Sequence, residues 1–234
     1  MKRLQLLLLL SLVCFFLIPA DVTYAKGTQV LIPDTVKDTR SKYTAKYVSG
    51  IRHTCTAILI SSTAAVTAKH CGGTKYLKRA GTIYPGASGP NIPFGYMNIR
   101  EYFPHPKYDI AVIRGILRDQ SKAYHYYIKP FKTPVTGYTD MQLQRFLYED
   151  VYSYGYPYKR SVYKQYRSDG QITFYQPKTV LLRTTLPTYE GQSGSGVFKK
   201  NGEFIGIIIT RTPDFQGNVL PFTKEIAQWI NDNS

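Results

Sequence analysis

The sequence predicts an all-β fold that ends in one helix, and three observations carry that expectation. Short runs rich in Val, Ile, Thr and Tyr recur along the chain, bounded by Gly, Pro, Asn or Ser, which is the pattern of strands separated by turns. None of these runs is long enough for an ordinary helix. Only after Pro221 do Ile226, Trp229 and Ile230 fall at helical spacing, giving an apolar face that can dock on a β core.

At the start of the chain, Lys2 and Arg3 precede an unbroken apolar run from Leu6 to Ile18. That layout predicts a secretory signal peptide over residues 1–25, cut after Ala25, with Ala20 as a second choice. A membrane anchor is the other reading of the run, but it is short for a bilayer and no other stretch approaches the required length. The mature protein is therefore expected to be secreted and to have no transmembrane segment. Cys14 leaves with the signal, and the two cysteines that remain, Cys55 and Cys71, suggest one disulfide in an exported chain. His53, His70, His105 and His125 are scattered without metal-ligand spacing, so neither a metal nor a cofactor is expected.

Residues 26–47 are polar and poorly patterned. Strand-like runs follow at 55–60, 64–68, 110–113, 171–175, 179–183 and 204–209, with a short helix expected at 140–147 in the connection between two halves. The alternation of Tyr with Lys and Arg over 152–166 reads as an exposed basic hairpin or loop. Thirty basic against fifteen acidic side chains give the 234-residue chain a formal charge of +15. Hydrophobic content of 43% with 19% charged residues is that of a globular chain. The positive surface suits either a simply solvated basic face or weak attraction to an anionic cell envelope. A specific nucleic-acid partner is not expected, because no binding module is present.

Three segments carry chemistry. Ala65-Val66-Thr67-Ala68-Lys69-His70-Cys71 is a β run that ends on a histidine beside a cysteine. Tyr108-Asp109-Ile110-Ala111-Val112-Ile113 sets a carboxylate at the mouth of an apolar strand, where an ionised group needs a partner. Gly191-Gln192-Ser193-Gly194-Ser195-Gly196 is a glycine-rich turn that can present a hydroxyl and converging backbone N–H groups. A serine hydroxyl is a poor nucleophile without an imidazole base and a carboxylate to orient it. The order His, Asp, Ser differs from the α/β-hydrolase order, and Ser195 breaks the G-x-S-x-G elbow that an esterase of that fold requires.

These motifs resemble the chymotrypsin and trypsin-like serine proteases over nearly the whole mature chain. Similarity is greatest to the bacterial glutamyl-endopeptidase and exfoliative-toxin branch, in Val30-Leu31-Ile32-Pro33, Thr67–His70, Gly155-Tyr156-Pro157 and Gly191–Ser195 followed by Val197-Phe198. The resemblance implies two antiparallel β-barrels, roughly 30–132 and 133–222, with the C-terminal helix at 223–233; it suggests a mature start at or near Val30 after a short propeptide at 26–29, while the residues are equally compatible with a start at Lys26. It implies His70, Asp109 and Ser193 as catalytic triad, Gly191 and Ser193 as oxyanion-hole donors, and a Cys55–Cys71 bridge beside the histidine. Its substrate pocket maps to Pro187, Thr188, Ile208, Ile209, Thr210 and Arg211. A monomeric endopeptidase acting on protein or peptide substrates is expected. The contrasting reading is a catalytically idle protease-like fold that binds cell-surface or host proteins, although all three triad positions are filled.

The chain departs from the family at informative places. Gln192 stands where the digestive relatives have an aspartate that pairs with the freed amino terminus, and Gly196 stands where proline is common. Ile208 replaces the histidine of relatives that cut after glutamate, although Thr188 is retained. The preferred residue before the scissile bond is therefore left between acidic and uncharged, and Pro187 in place of an aspartate argues against Lys or Arg.

Overall fold

A computed structural model describes residues 26–159 and 162–234; the expected signal peptide, its cleavage sites and Cys14 lie outside the described residues. The N-terminal sheet contains β2 (Thr44–Ser49), β3 (Thr54–Leu59), β4 (Ala64–Thr67), β5 (Leu77–Lys78), β6 (Gly81–Pro85), β7 (Met97–Asn98), β8 (Glu101–Pro104) and β9 (Ala111–Arg114). The C-terminal sheet contains β1 (Thr28–Leu31), β10 (Asp150–Gly155), β13 (Tyr166–Gln176), β14 (Leu181–Pro187), β15 (Gly196–Lys199), β16 (Phe204–Arg211) and β17 (Gln216–Pro221). A small hairpin, β11 (Tyr158–Lys159) with β12 (Val162–Tyr163), projects between β10 and β13.

The N-terminal sheet runs β5-β8-β9-β4-β3-β2-β6-β7, and the C-terminal sheet runs β1-β13-β10-β15-β16-β17-β14. A further β13–β14 pairing closes the second sheet into a barrel, leaving β1 as an added edge strand. Closure depends on the long β13. Its register shifts between Ile172 and Phe174, so the first part pairs with β10 while the remainder turns to β14, as a bulge allows. The architecture is the chymotrypsin-like double β-barrel.

Three large apolar clusters, with a smaller one of Ile32, Tyr152 and Tyr154, hold this arrangement. One fills the N-terminal sheet around Tyr47, Ile83, Met97 and Tyr102, and another fills the C-terminal barrel around Leu143, Ile172, Leu182 and Val197. Between them, Ile58, Val66, Val112 and Ile207 meet the C-terminal helix α3 (Lys224–Asn233) through Ile226 and Ile230. Trp229 packs against the same cluster, as the helical spacing anticipates. Thr223 caps α3 by accepting from the Ile226 N–H, the usual role of a hydroxyl at a helix start.

Several sequence expectations change. The weakly patterned 26–47 region contains β1 and the first part of β2, and β1 joins the C-terminal sheet, so Val30 and Leu31 are not part of the N-terminal barrel. Residues 152–156 are not exposed: Tyr152 and Tyr154 are buried because β10 is an interior strand paired on both sides, and Tyr156, just beyond it, is buried with its hydroxyl donating to Thr44 O. Only β11–β12 behaves as the expected hairpin. Helix α1 (Lys122–Tyr127) was not expected, since its Tyr-rich sequence has strand propensity; Ser121 starts it by accepting from Tyr124 N–H. Helix α2 (Asp140–Gln144) is shorter than the expected 140–147, and Thr139 and Gln142 form its capping box.

Candidate active site

His70 sits on a single tight turn, Lys69–Cys71, directly after β4. Two features fix that turn. Cys71 is bonded to Cys55 of β3 with Cα atoms 6.2 Å apart. From below, the buried Tyr102 hydroxyl donates to the carbonyls of Lys69 and Gly73. The Cys55 and Cys71 sulfurs lie near the imidazole, but their disulfide leaves this cluster only the ring as a ligand.

Asp109 lies in the turn between β8 and β9. His105 shapes this turn: its Nδ1 accepts from the N–H groups of Lys107 and Tyr108 at 3.0 and 3.1 Å. The His105 ring is buried against Trp229 and Tyr108. Burial therefore lowers its pKa, more than Glu225 raises it. An Nδ1 that accepts twice fits a neutral imidazole. His105 is a structural histidine, and it holds the loop that presents Asp109.

Asp109 Oδ1 accepts from the His70 backbone N–H at 2.9 Å, and Oδ2 lies 2.8 Å from His70 Nδ1. On the other side of the ring, Nε2 lies 2.9 Å from Ser193 Oγ. Burial pushes the Asp109 carboxyl up, but the imidazole hydrogen bond, its charge, the backbone N–H and Lys69 outweigh that effect and hold it below its ordinary value. The two barrels thus bring the three side chains into one hydrogen-bonded line.

The loop carrying Ser193 is held from both sides. Thr56 of β3 donates its hydroxyl to Gly191 O at 2.8 Å and its N–H to Ser193 O at 2.9 Å. Tyr158 N–H of the hairpin takes Glu190 O at 2.8 Å. The connecting peptide is trans, so the Gly191 N–H faces opposite to that carbonyl. Among the described residues, neither the Gly191 nor the Ser193 N–H is spent on another hydrogen bond. Gly194 has φ +87°, and a Cβ there would meet Thr56 O at 2.1 Å, so only glycine lets the loop lie this close to β3. Sequence reasoning missed Thr56 and Tyr158, because neither lies in a motif and both act across the fold.

The six expected pocket residues are divided by the structure. Thr188 is buried, with its hydroxyl turned to Leu186 O. Ile208 does not offer an accessible contact: strand alternation sends Ile207 to the junction of the barrels and Ile208 into the C-terminal core. Ile209 packs where the two barrels meet, and Pro187 directs its carbonyl at Gln29 and Ser168. Thr210 and Arg211 are exposed at the end of β16. There Arg211 lies 4.3 Å over the Phe215 ring, Phe215 stacks on Tyr189 at 5.2 Å, and Lys159 lies 4.2 Å over Tyr189. Two cations thus flank an aromatic pair beside the nucleophile loop, and neither is paired with a carboxylate among the described residues.

Fold and geometry together define a trypsin-like double-barrel protein. The chain belongs to the trypsin-like peptidase domain family, whose profile matches residues 55–207. It is similar to the glutamyl endopeptidase of Staphylococcus epidermidis, 26% identical over 190 residues that cover 80% of this chain and 63% of that protein. The chain therefore spans less than two thirds of the length of this relative. Among solved structures, a Glu endopeptidase in complex with MPD has a TM-score of 0.70 at 19% identity, over 88% of this chain and 95% of that one. A thermostable serine protease from an extremophilic microorganism has a TM-score of 0.63 at 15% identity, over 83% and 97%. These two likenesses are of fold.

Proposed function

We propose that the chain is a secreted serine endopeptidase that cleaves peptide bonds through an acyl-enzyme. The observation that carries this reading is the line Asp109–His70–Ser193, with contacts of 2.8 and 2.9 Å on the two ring nitrogens. Ser193 Oγ attacks the carbonyl carbon while His70 Nε2 takes its proton, and Asp109 keeps the Nδ1 proton in place and stabilises the imidazolium. Charge that develops on the carbonyl oxygen is met by the N–H groups of Gly191 and Ser193. His70 then protonates the leaving amine. Water attacks the ester, giving its proton to His70, and the carboxylic acid product leaves as Ser193 recovers its hydrogen. Export is supported by the signal-like first 25 residues and by the disulfide. None of the described helices is long and apolar enough to cross a membrane.

For substrate preference, the cations Lys159 and Arg211 favour an acidic side chain before the scissile bond, and they disfavour Lys or Arg. The Staphylococcus epidermidis relative, a glutamyl endopeptidase, points the same way. The idle-fold reading loses ground, because the site keeps all three side chains in hydrogen-bonded register. The test is a fluorophosphonate probe with mass spectrometry, beside a casein-cleavage assay. Label on Ser193 in the wild type, with both label and cleavage lost in Ser193→Ala, is the expected result. A folded wild-type protein that takes no label and cleaves no casein would overturn the peptidase reading.

A further inference from the structure

Gln192, immediately before Ser193, is wholly buried and uncharged. Its Oε1 accepts from Tyr189 N–H at 2.8 Å and from Gln29 Nε2 at 3.1 Å. The same Gln29 nitrogen donates to Ser168 Oγ at 2.8 Å and Pro187 O at 3.0 Å, and Ser168 Oγ donates to Pro187 O at 2.8 Å. One amide group from β1 therefore joins β13, the end of β14 and the loop that carries the nucleophile.

The Gln192 side chain has no other polar restraint, because its Nε2 is buried without a partner among the described residues. Gln29 reaches this point because β1 pairs with β13 in the register Gln29↔Ser168. Just before it, a Cβ on Gly27 would lie 2.1 Å from Thr185 O and 2.6 Å from Asp169 O. Gly27 and Gln29 are thus half-buried against the C-terminal barrel beside the site, while Thr28 between them is exposed.

We propose that Gln29 is a positioning residue for the nucleophile loop, so that residues 26–29 belong to the working protein and are not a propeptide. A neutral amide here ties the start of the chain to the residue before the nucleophile. Cleavage ahead of Val30 removes the two amide N–H groups that these three acceptors share and loosens the loop 189–193, which lowers activity. This inference rests on the peptidase reading of the same site.

The test compares a chain beginning at Lys26, the same chain with Gln29→Ala, and a chain beginning at Val30. Inactivation by a fluorophosphonate gives a maximal rate and a half-saturation concentration, and hydrogen exchange follows the peptide spanning 188–195. Both altered chains should lose about tenfold in maximal rate, equivalent to about 1.4 kcal/mol, with half-saturation within about twofold and faster exchange in that peptide. A lost buried donor accounts for an effect of that size. The losses from Gln29→Ala and Gln192→Ala should add to less than their sum in the double variant, because the two side chains share one hydrogen bond. Unchanged rate, or a Val30 chain more active than the Lys26 chain, would overturn the proposal. A wild-type protein inert to the probe would sink the peptidase reading instead; exchange would then decide, with faster exchange in Gln29→Ala keeping the brace and unchanged exchange ending it.

Discussion

The Thr56 hydroxyl donates to the Gly191 carbonyl at 2.8 Å, so a strand of the N-terminal sheet holds the loop that carries Ser193. The same oxygen accepts from Tyr156 N–H at 3.1 Å, and Thr67 Oγ1 donates to Thr56 O at 2.8 Å. Both strands that frame His70 thereby meet the nucleophile loop at one residue. Replacing Thr56 by Val keeps the shape, removes the hydroxyl and leaves Gly191 O without its donor. The turnover of Thr56→Val should fall at least about tenfold, because both buried hydrogen bonds of the hydroxyl, to Gly191 O and from Tyr156 N–H, are lost, while Thr56→Ser stays near wild type. Equal turnover in all three proteins would show that the clamp does not act on the site.

The two serines of the loop should separate cleanly. Ser193 Oγ faces His70, whereas Ser195 Oγ is buried without a partner among the described residues. Ser195→Ala removes an unsatisfied polar group, so its thermal midpoint should be unchanged or raised and its activity retained. Asp109→Asn should lower turnover by about 10⁴, since the imidazole is then held in the wrong tautomer. Steady-state kinetics of the two variants, beside thermal melts, check both expectations.

Stability should weaken on the acid side in two stages. His105 has a lowered folded pKa, so it favours folding above its unfolded value of about 6.5. That contribution is lost as pH falls through the folded pKa, because the unfolded state binds the proton first. Asp109 is also depressed, and its contribution is present above about 3.9 and lost as pH falls further. In His105→Asn the amide oxygen can still accept from residues 107 and 108, but it does not titrate. Melting midpoints across pH 4 to 8 should lose the upper stage in this variant; an unchanged profile would mean that His105 does not contribute.

Profiling with a peptide library should give cleavage after acidic residues, weakened by Arg211→Ala and by Lys159→Ala and further weakened by both. Each removes one cation from the Tyr189–Phe215 stack. Preferred cleavage after Lys or Arg would contradict the charge reading, and an uncharged preference unaltered by either change would assign both cations to solvent.

Much of the β pattern was legible because strands leave a local trace of β-branched runs between turn residues. The C-terminal helix was legible because Ile226, Trp229 and Ile230 repeat at its period. Elements that the sequence concealed had misleading local signals. The tyrosines of β10 look like surface residues beside the basic hairpin, but pairing on both edges buries them. Strand β1 is too short and polar to announce itself, and its place is set by a register more than a hundred residues away.

The sequence by itself determined the all-β class, the candidates His70, Asp109 and Ser193, and the glycine-rich turn, because those depend on residue type and near-neighbour spacing. Only the tertiary structure decided which groups hold them. His70 and Ser193 meet across the junction of two barrels, and Thr56, Tyr158, His105 and Gln29 reach the site from separate elements. The same is true of Ile208, which alternation and closure of the second barrel turn into the core. A hydrogen bond of about 3 Å is a condition on distance and direction, and for groups far apart in the chain those are set by the packing of the barrels.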